Sequence, residues 1–373
     1  MSRDAAPGFF HGWRIDDAAL DGINNFHLIR LAAALLVLFA HAFHLLQRAG
    51  DEPIGKWFVW LDASLLGVAI FFFVSGFLVS RSWDRRGNLV SFLSARALRI
   101  APALWLVLIV TVFGLGIAVT KLPVPDYLAA PETAAYLGLN AMLLTQYLLP
   151  GVFESNPVGG VNGSLWTIPL EVVLYLILAV FGWLGMMTPG ATVRAVLRRI
   201  SAMPVAGGAL VFIGVLLMSK ILRTGAQYYT LAGYFLLGAL CYRYRDRLQL
   251  RLDLTLALAF AAVATAHTPA GPILMPLAIA SAILVVAIHP ALAMRPTWLH
   301  RHDYSYGTYL YGFPVQQSLI LAGMSAPWPL FGCAVIVTLV CAAVSWHAIE
   351  RPALRRKPMA DAWLAAHFAR SRI

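Results

Sequence analysis

A chain of 373 residues with 60% hydrophobic and only 12% charged residues cannot cover its own surface in water, since soluble proteins are about one quarter charged. The mean hydropathy of +0.75 indicates that lipid is the solvent over much of that surface. The net charge of +11 sits in clusters between apolar runs, which is membrane topology rather than a nucleic-acid surface, so nucleic-acid binding is disfavoured.

The first 25 residues, with Asp4, Asp16, Asp17 and Asp21, read as a polar cytoplasmic tail rather than a cleavable leader. Apolar runs able to cross the hydrocarbon core as helices, at about 20 residues each, follow near 28–46, 62–82, 98–120, 164–186, 203–219, 228–244, 252–267, 272–291, 304–324 and 328–349. The segment 134–150 is apolar but short, ends in Pro150 and is flanked by Pro/Gly-rich chain, so it reads as interfacial or re-entrant. With the N-terminus inside, all 28 Lys and Arg except Arg48, Lys56, Lys121, Lys220 and Arg223 fall on the cytoplasmic side, as the positive-inside rule requires. An extra crossing at 134–150 would move Arg194, Arg198 and Arg199 outside. The expected fold is therefore an all-α integral membrane protein of about ten transmembrane helices with both termini cytoplasmic. Its membrane domain is expected over 26–350, with a basic tail over 351–373. Cys241, Cys333 and Cys341 lie in apolar runs without metal-ligand spacing and read as packing residues; no metal is expected.

Ionisable residues inside spans are costly and point to function. The first span carries Arg30 and His41. Eleven residues at 100° each make three turns plus ~20°, so the two share a face with a rise of ~16 Å. A cation at the cytoplasmic edge and an imidazole near the midplane resemble a funnel for an anionic cosubstrate; a snorkelling arginine and an interhelical histidine are the structural alternative. His44, one turn beyond His41, is a substitute for it nearer the outer surface. Ser75–Gly76 in the second span allows close backbone approach and offers one hydroxyl. Arg96 and Arg99, at i and i+3 on one face at the start of a helix, suit phosphate oxygens through their planar donor forks. Glu171, ~10 Å into its span from the outer end, needs a proton or a partner, and His41 or an arginine is within its reach. Gly159, Gly160 and Gly163 permit an unusual turn before it, and Trp166 suits the interface. Of the tyrosines 304, 306, 309 and 311, an aromatic belt is the simple account, while Gln316 and Gln317 are candidates for lining a cavity. Glu350–Arg351–Pro352 reads as helix termination, and His347 as structural.

Taken in order from about residue 24 to 355, these segments resemble the acyltransferase-3 family of membrane O-acyltransferases. The resemblance rests on Arg-x10-His (Arg30, His41), F-x-x-S-G-F (Phe72 to Phe77), F-x-x-x-R-x-x-R-I-x-P (Phe92 to Pro102), G-S-L-W-T-x-x-x-E (Gly163 to Glu171), S-Y-G-x-Y (Ser305 to Tyr309) and E-R-P (Glu350 to Pro352). It implies a multi-pass protein of the cell inner membrane that moves an acyl group, commonly acetyl, from cytoplasmic acetyl-CoA or another acyl-CoA to a hydroxyl of a glycan, glycolipid or other acceptor. His41 is then the catalytic base or a transient acyl carrier, with Glu171 orienting it. Arg30, Arg96 and Arg99, with Ser75, are expected at the donor, and Ser164, Trp166, Tyr309 and Gln316 at the acceptor. Some relatives carry an extracytoplasmic hydrolase-like domain that is not found in this sequence, so transfer is expected in the membrane domain or with a separate partner. The competing function is a proton-coupled transporter with a His/Glu relay, disfavoured by the lack of internal repeats.

Overall fold

The computed structural model describes residues 13–15, 20–22, 24–58, 60–185, 225–289, 292 and 302–356. Helix α1 runs Phe26–His44 and α2 runs Ala63–Arg86. Helix α3, Leu89–Ile109, continues through a π-helical stretch, Val110–Gly116, to Val119. Helix α4 spans Pro131–Ala141. A 3₁₀ turn at Gly163–Trp166 leads into α5, Thr167–Trp183. Then come α6 Ala226–Arg243, α7 Leu252–Ala264, α8 Gly271–Ile288, α9 Ser305–Leu321 and α10 Pro327–Ser345. The last continues through a second π-helical turn, Trp346–Glu350, into Arg351–Arg355.

Nine of the ten expected spans fall wholly or largely on described residues, and each contains a helix; the span at 203–219 lies outside the described residues. Six are long and apolar enough to cross a membrane: α1, α2, α3 with its extension, the helix from Gly163 to Trp183, α8, and α10 with its extension. The 13-residue α7 is ~20 Å long, well short of the hydrocarbon thickness. At 134–150 the structure has only the 11-residue α4, ~16 Å of helix, followed by non-helical chain to Pro150, and so no spanning helix. The lipid-facing character is plainest on α10, where Ile336, Val340 and Val344 are 67%, 60% and 63% exposed at i, i+4 and i+8 on one face.

Helix ends follow local chemistry. Asp62 starts α2 by accepting from the Leu65 amide at 2.7 Å, and Asn88 starts α3 by accepting from Val90 and Ser91. Each side chain satisfies amides that the helix leaves free. The early cap places the start of α3 nine residues before the expected apolar run at 98. Arg96 and Arg99 therefore sit two to three turns inside the helix rather than at its beginning.

Small residues set the helix spacing. A Cβ on Gly76 of α2 would lie 2.0 Å from the Phe235 carbonyl oxygen of α6, and one on Gly238 of α6 would lie 2.1 Å from that of Phe73. The two backbones touch, as small residues permit between membrane helices. The described part of the N-terminal tail is docked rather than loose. Trp13–Arg14 (β1) pairs antiparallel with Gln249–Leu250 (β2), Ile15 and Leu20 are each 1% exposed, and Asp21 bonds both Arg81 and Arg85. Two isolated apolar residues give no span signal in sequence, yet suffice to anchor a tail against a helical bundle.

Candidate active site

Helices α1, α2, α3, α5 and α9 enclose a cavity of about 310 Å³. Its wall carries Arg30 from α1, Ser75 from α2, Arg96 and Arg99 from α3, Glu171 and Tyr175 from α5, Tyr306 and Tyr309 from α9, and Asp303 just before α9. The i, i+3 spacing on α3 thus delivers both arginines to one face. On α2, Gly76 turns toward α6 while its neighbour Ser75 turns toward the cavity, so one dipeptide serves packing and site together.

Asp303 organises the charges. Arg30 Nη1 and Arg99 Nη2 both donate to its Oδ2 at 2.6 Å, and His27 Nδ1 stands 3.5 Å from the same oxygen. Its other oxygen accepts from the Ser305 amide and hydroxyl. Burial alone would raise the pKa of this carboxyl, which is 4% exposed. The Arg30 and Arg99 cations outweigh that and hold it well below the usual carboxylate range. A second acid, Glu350, lies 3.8 Å from Arg99, is 3% exposed and accepts from Ser345 Oγ at 3.1 Å. Its π-helical turn brings it inward, so its environment is that of the site and not of a helix-terminating surface residue.

Arg96 differs from its neighbours. It makes no ion pair among the described residues. Its guanidinium lies over the Phe92 and Tyr175 rings at 5.9 and 5.8 Å and reaches Ser82 Oγ at 3.4 Å, while its buried Nε has no hydrogen-bond partner. The cavity therefore holds one buried guanidinium not committed to a carboxylate, the state an incoming anion would relieve.

Beside it, Ser75, Glu171 and Tyr175 form a hydrogen-bonded set. Ser75 Oγ donates to Glu171 Oε1 at 3.2 Å and lies 2.8 Å from Tyr175 OH, and Tyr175 also donates to Glu171. Glu171 makes no hydrogen bond to His41, contrary to the expectation that it orients the imidazole, because its oxygen is taken by two hydroxyls on its own side of the bundle. Tyr309 OH lies 2.7 Å from Thr167 Oγ1.

His41 is not on the cavity wall. It lies toward the other end of α1, its ring edge-on to Phe313 at 5.2 Å between centroids, with no hydrogen bond among the described residues. Three further expected residues are also elsewhere. Ser164 is 2% exposed with its amide bonded to Asn162, Trp166 packs on Tyr228 at 5.1 Å, and Gln316 donates to the Leu38 carbonyl at 2.8 Å. These three are held in contacts that shape the bundle. Sequence reasoning missed Asp303, which carries no motif of its own, and Tyr175, whose i+4 spacing from Glu171 was a readable signal. Among the described residues no cluster of three His, Cys, Asp or Glu has metal-binding geometry, and the three cysteines are unpaired.

An apolar bundle of helices with a charged cavity between them is the architecture of a multi-pass membrane protein with an internal polar site. The acyltransferase domain of the acyltransferase-3 family matches residues 23–347, and the chain belongs to that family. It is 30% identical over 360 residues to nodulation protein 10 of Rhizobium leguminosarum bv. viciae, covering 89% of this chain and 93% of the relative. It is 27% identical over 343 residues to the O-acetyl transferase of Shigella phage Sf6, covering 89% and 96%. No solved structure matches. The protein is thus a membrane O-acyltransferase that transfers groups other than aminoacyl groups.

Proposed function

We propose that this protein takes an acetyl group from cytoplasmic acetyl-coenzyme A and places it on a hydroxyl of a surface glycan or glycolipid. It works in the inner membrane with ten spans and both termini in the cytoplasm. The observation that carries the donor assignment is Arg96, a buried cation on the cavity wall without a carboxylate partner. A guanidinium's planar donor fork matches phosphate oxygens bidentately. Arg30 and Arg99 support the same wall but share Asp303, so they contribute less free positive charge. The family and the name of the phage relative support acetyl as the group moved; the glycan acceptor rests on the family resemblance.

His41 lies ~16 Å along α1 from Arg30, so the reading requires the flexible arm of the donor to run along α1 to bring its thioester to the imidazole. There neutral His41 either accepts the proton of the attacking hydroxyl or carries the acyl group briefly. The test is calorimetric titration of purified protein with acetyl-coenzyme A. Arg96→Ala should weaken binding by roughly tenfold to a hundredfold, the loss of one charge-assisted hydrogen bond. Unchanged affinity in that variant, or no binding by folded wild-type protein, would remove the donor from this cavity.

A further inference from the structure

A second polar cluster lies toward the end of α1 away from the arginines. Asp62 is fixed first, because one oxygen caps α2 through the Leu65 amide at 2.7 Å. Its other oxygen faces His44 Nε2 at 3.3 Å. That contact sets the ring of His44 and leaves Nδ1 as the nitrogen turned away from the carboxylate. His44 and His41 are adjacent on one helix face, their ring centroids 6.4 Å apart. Among the described residues the His41 side chain makes no hydrogen bond, and the Phe313 ring lies edge-on against it. His44 and Asp62 are each 32% exposed, so a bulky hydroxyl acceptor has access to them.

A general base works best when a third group holds it, whereas a nucleophile needs a free lone pair beside that base. The geometry points to His41 as the nucleophile, His44 as the base for the acceptor hydroxyl and Asp62 as the group that positions His44. The inference rests on the proposed function and selects between its two routes. In the first step an unprotonated nitrogen of His41 attacks the thioester carbonyl. A C–N bond forms, the C–S bond breaks, and the thiolate leaves with the proton of the other imidazole nitrogen as free thiol. In the second, Nδ1 of His44 takes the acceptor's proton as its oxygen attacks the acyl carbon. A C–O bond forms, the C–N bond breaks, and His44 passes the proton to the departing His41, so both rings end neutral.

The two steps separate experimentally in the full chain purified in detergent. Exchange of radiolabelled coenzyme A into acetyl-coenzyme A reads the first step, and loss of acid-trapped acetyl label from the protein to water reads the second. His41→Ala should abolish exchange. His44→Gln should slow discharge about a hundredfold, the usual contribution of a positioned base, with a much smaller effect on exchange, so that labelled protein accumulates. Asp62→Asn, whose amide oxygen still caps α2, should show the same split to a lesser degree. Equal losses of exchange and discharge in His44→Gln, or no loss in either, would overturn the assignment of the base; an unchanged Asp62→Asn would overturn that of its positioning group. Wild-type protein that binds acetyl-coenzyme A but shows no His41-dependent exchange refutes the nucleophile alone. Protein that does not bind acetyl-coenzyme A refutes the donor reading beneath it.

Discussion

At the scale of single residues, three arginines on one cavity wall have different electrostatic circumstances. Arg30 and Arg99 are matched by Asp303, whereas Arg96 rests on aromatic faces. Replacing Asp303 by Asn would leave Arg30 unpaired in a poorly hydrated site and Arg99 with only the more distant Glu350. Breaking a buried pair from one side costs about 3–5 kcal/mol, so Asp303→Asn should lower the thermal unfolding midpoint of the detergent-solubilised protein by several degrees. Arg96→Ala removes a desolvated cation and should leave that midpoint nearly unchanged or raise it. A fall as large as that of the Asp303 variant would show that Arg96 is structural. The arginines were legible in sequence because a charge within an apolar helix stands out against its neighbours. Asp303 was not, since it lies outside the helices, and only the packing of α9 against α1 and α3 turns it into their counter-ion. Likewise Glu171 was readable as a buried acid, but its partners, Ser75 on another helix and Tyr175 one turn on, depend on which way α5 is rotated.

Among the described helices, α2 and α6 approach closely, where glycines on each side meet backbone on the other. Adding one methyl at Gly76 forces the helices apart or strains them, which typically costs 1–3 kcal/mol (about the range for overpacking). Gly76→Ala should therefore lower the unfolding midpoint. Ala at Gly233 of α6, where a Cβ would meet nothing within 4 Å, should not. The positions of the helices were readable because each is a long apolar run, and hydropathy does not depend on knowing the neighbours. Their ends were less so. Asn88 extends α3 into polar sequence, and the π-helical turns at Val110–Gly116 and Trp346–Glu350 arise from how the chain meets adjacent helices, which leaves no periodic trace. Such widened turns recur at functional sites, and the second of these places Trp346 on the cavity wall and Glu350 beside Arg99.

For the whole molecule, the distribution of Lys and Arg sets an orientation that labelling can check. With the three native cysteines replaced by alanine, Asp51→Cys should react with a membrane-impermeant maleimide in intact cells, and Asp84→Cys only after permeabilisation. The reverse pattern would invert the topology and put the arginine cavity beyond reach of a cytoplasmic donor. Both positions are open enough to label, at 46% and 43% exposure. The sharing of one Asp303 oxygen by Arg30 and Arg99 also has a mechanical meaning. It ties the start of α1 and of α9 to the middle of α3 at a single point, so separating any of the three would strand a charge. Across the cavity, α2 and α5 are joined instead by the hydroxyls of Ser75 and Tyr175, groups that can exchange one partner for another with little loss. The cavity is thus clamped by charge on one side and sewn by exchangeable hydroxyl bonds on the other.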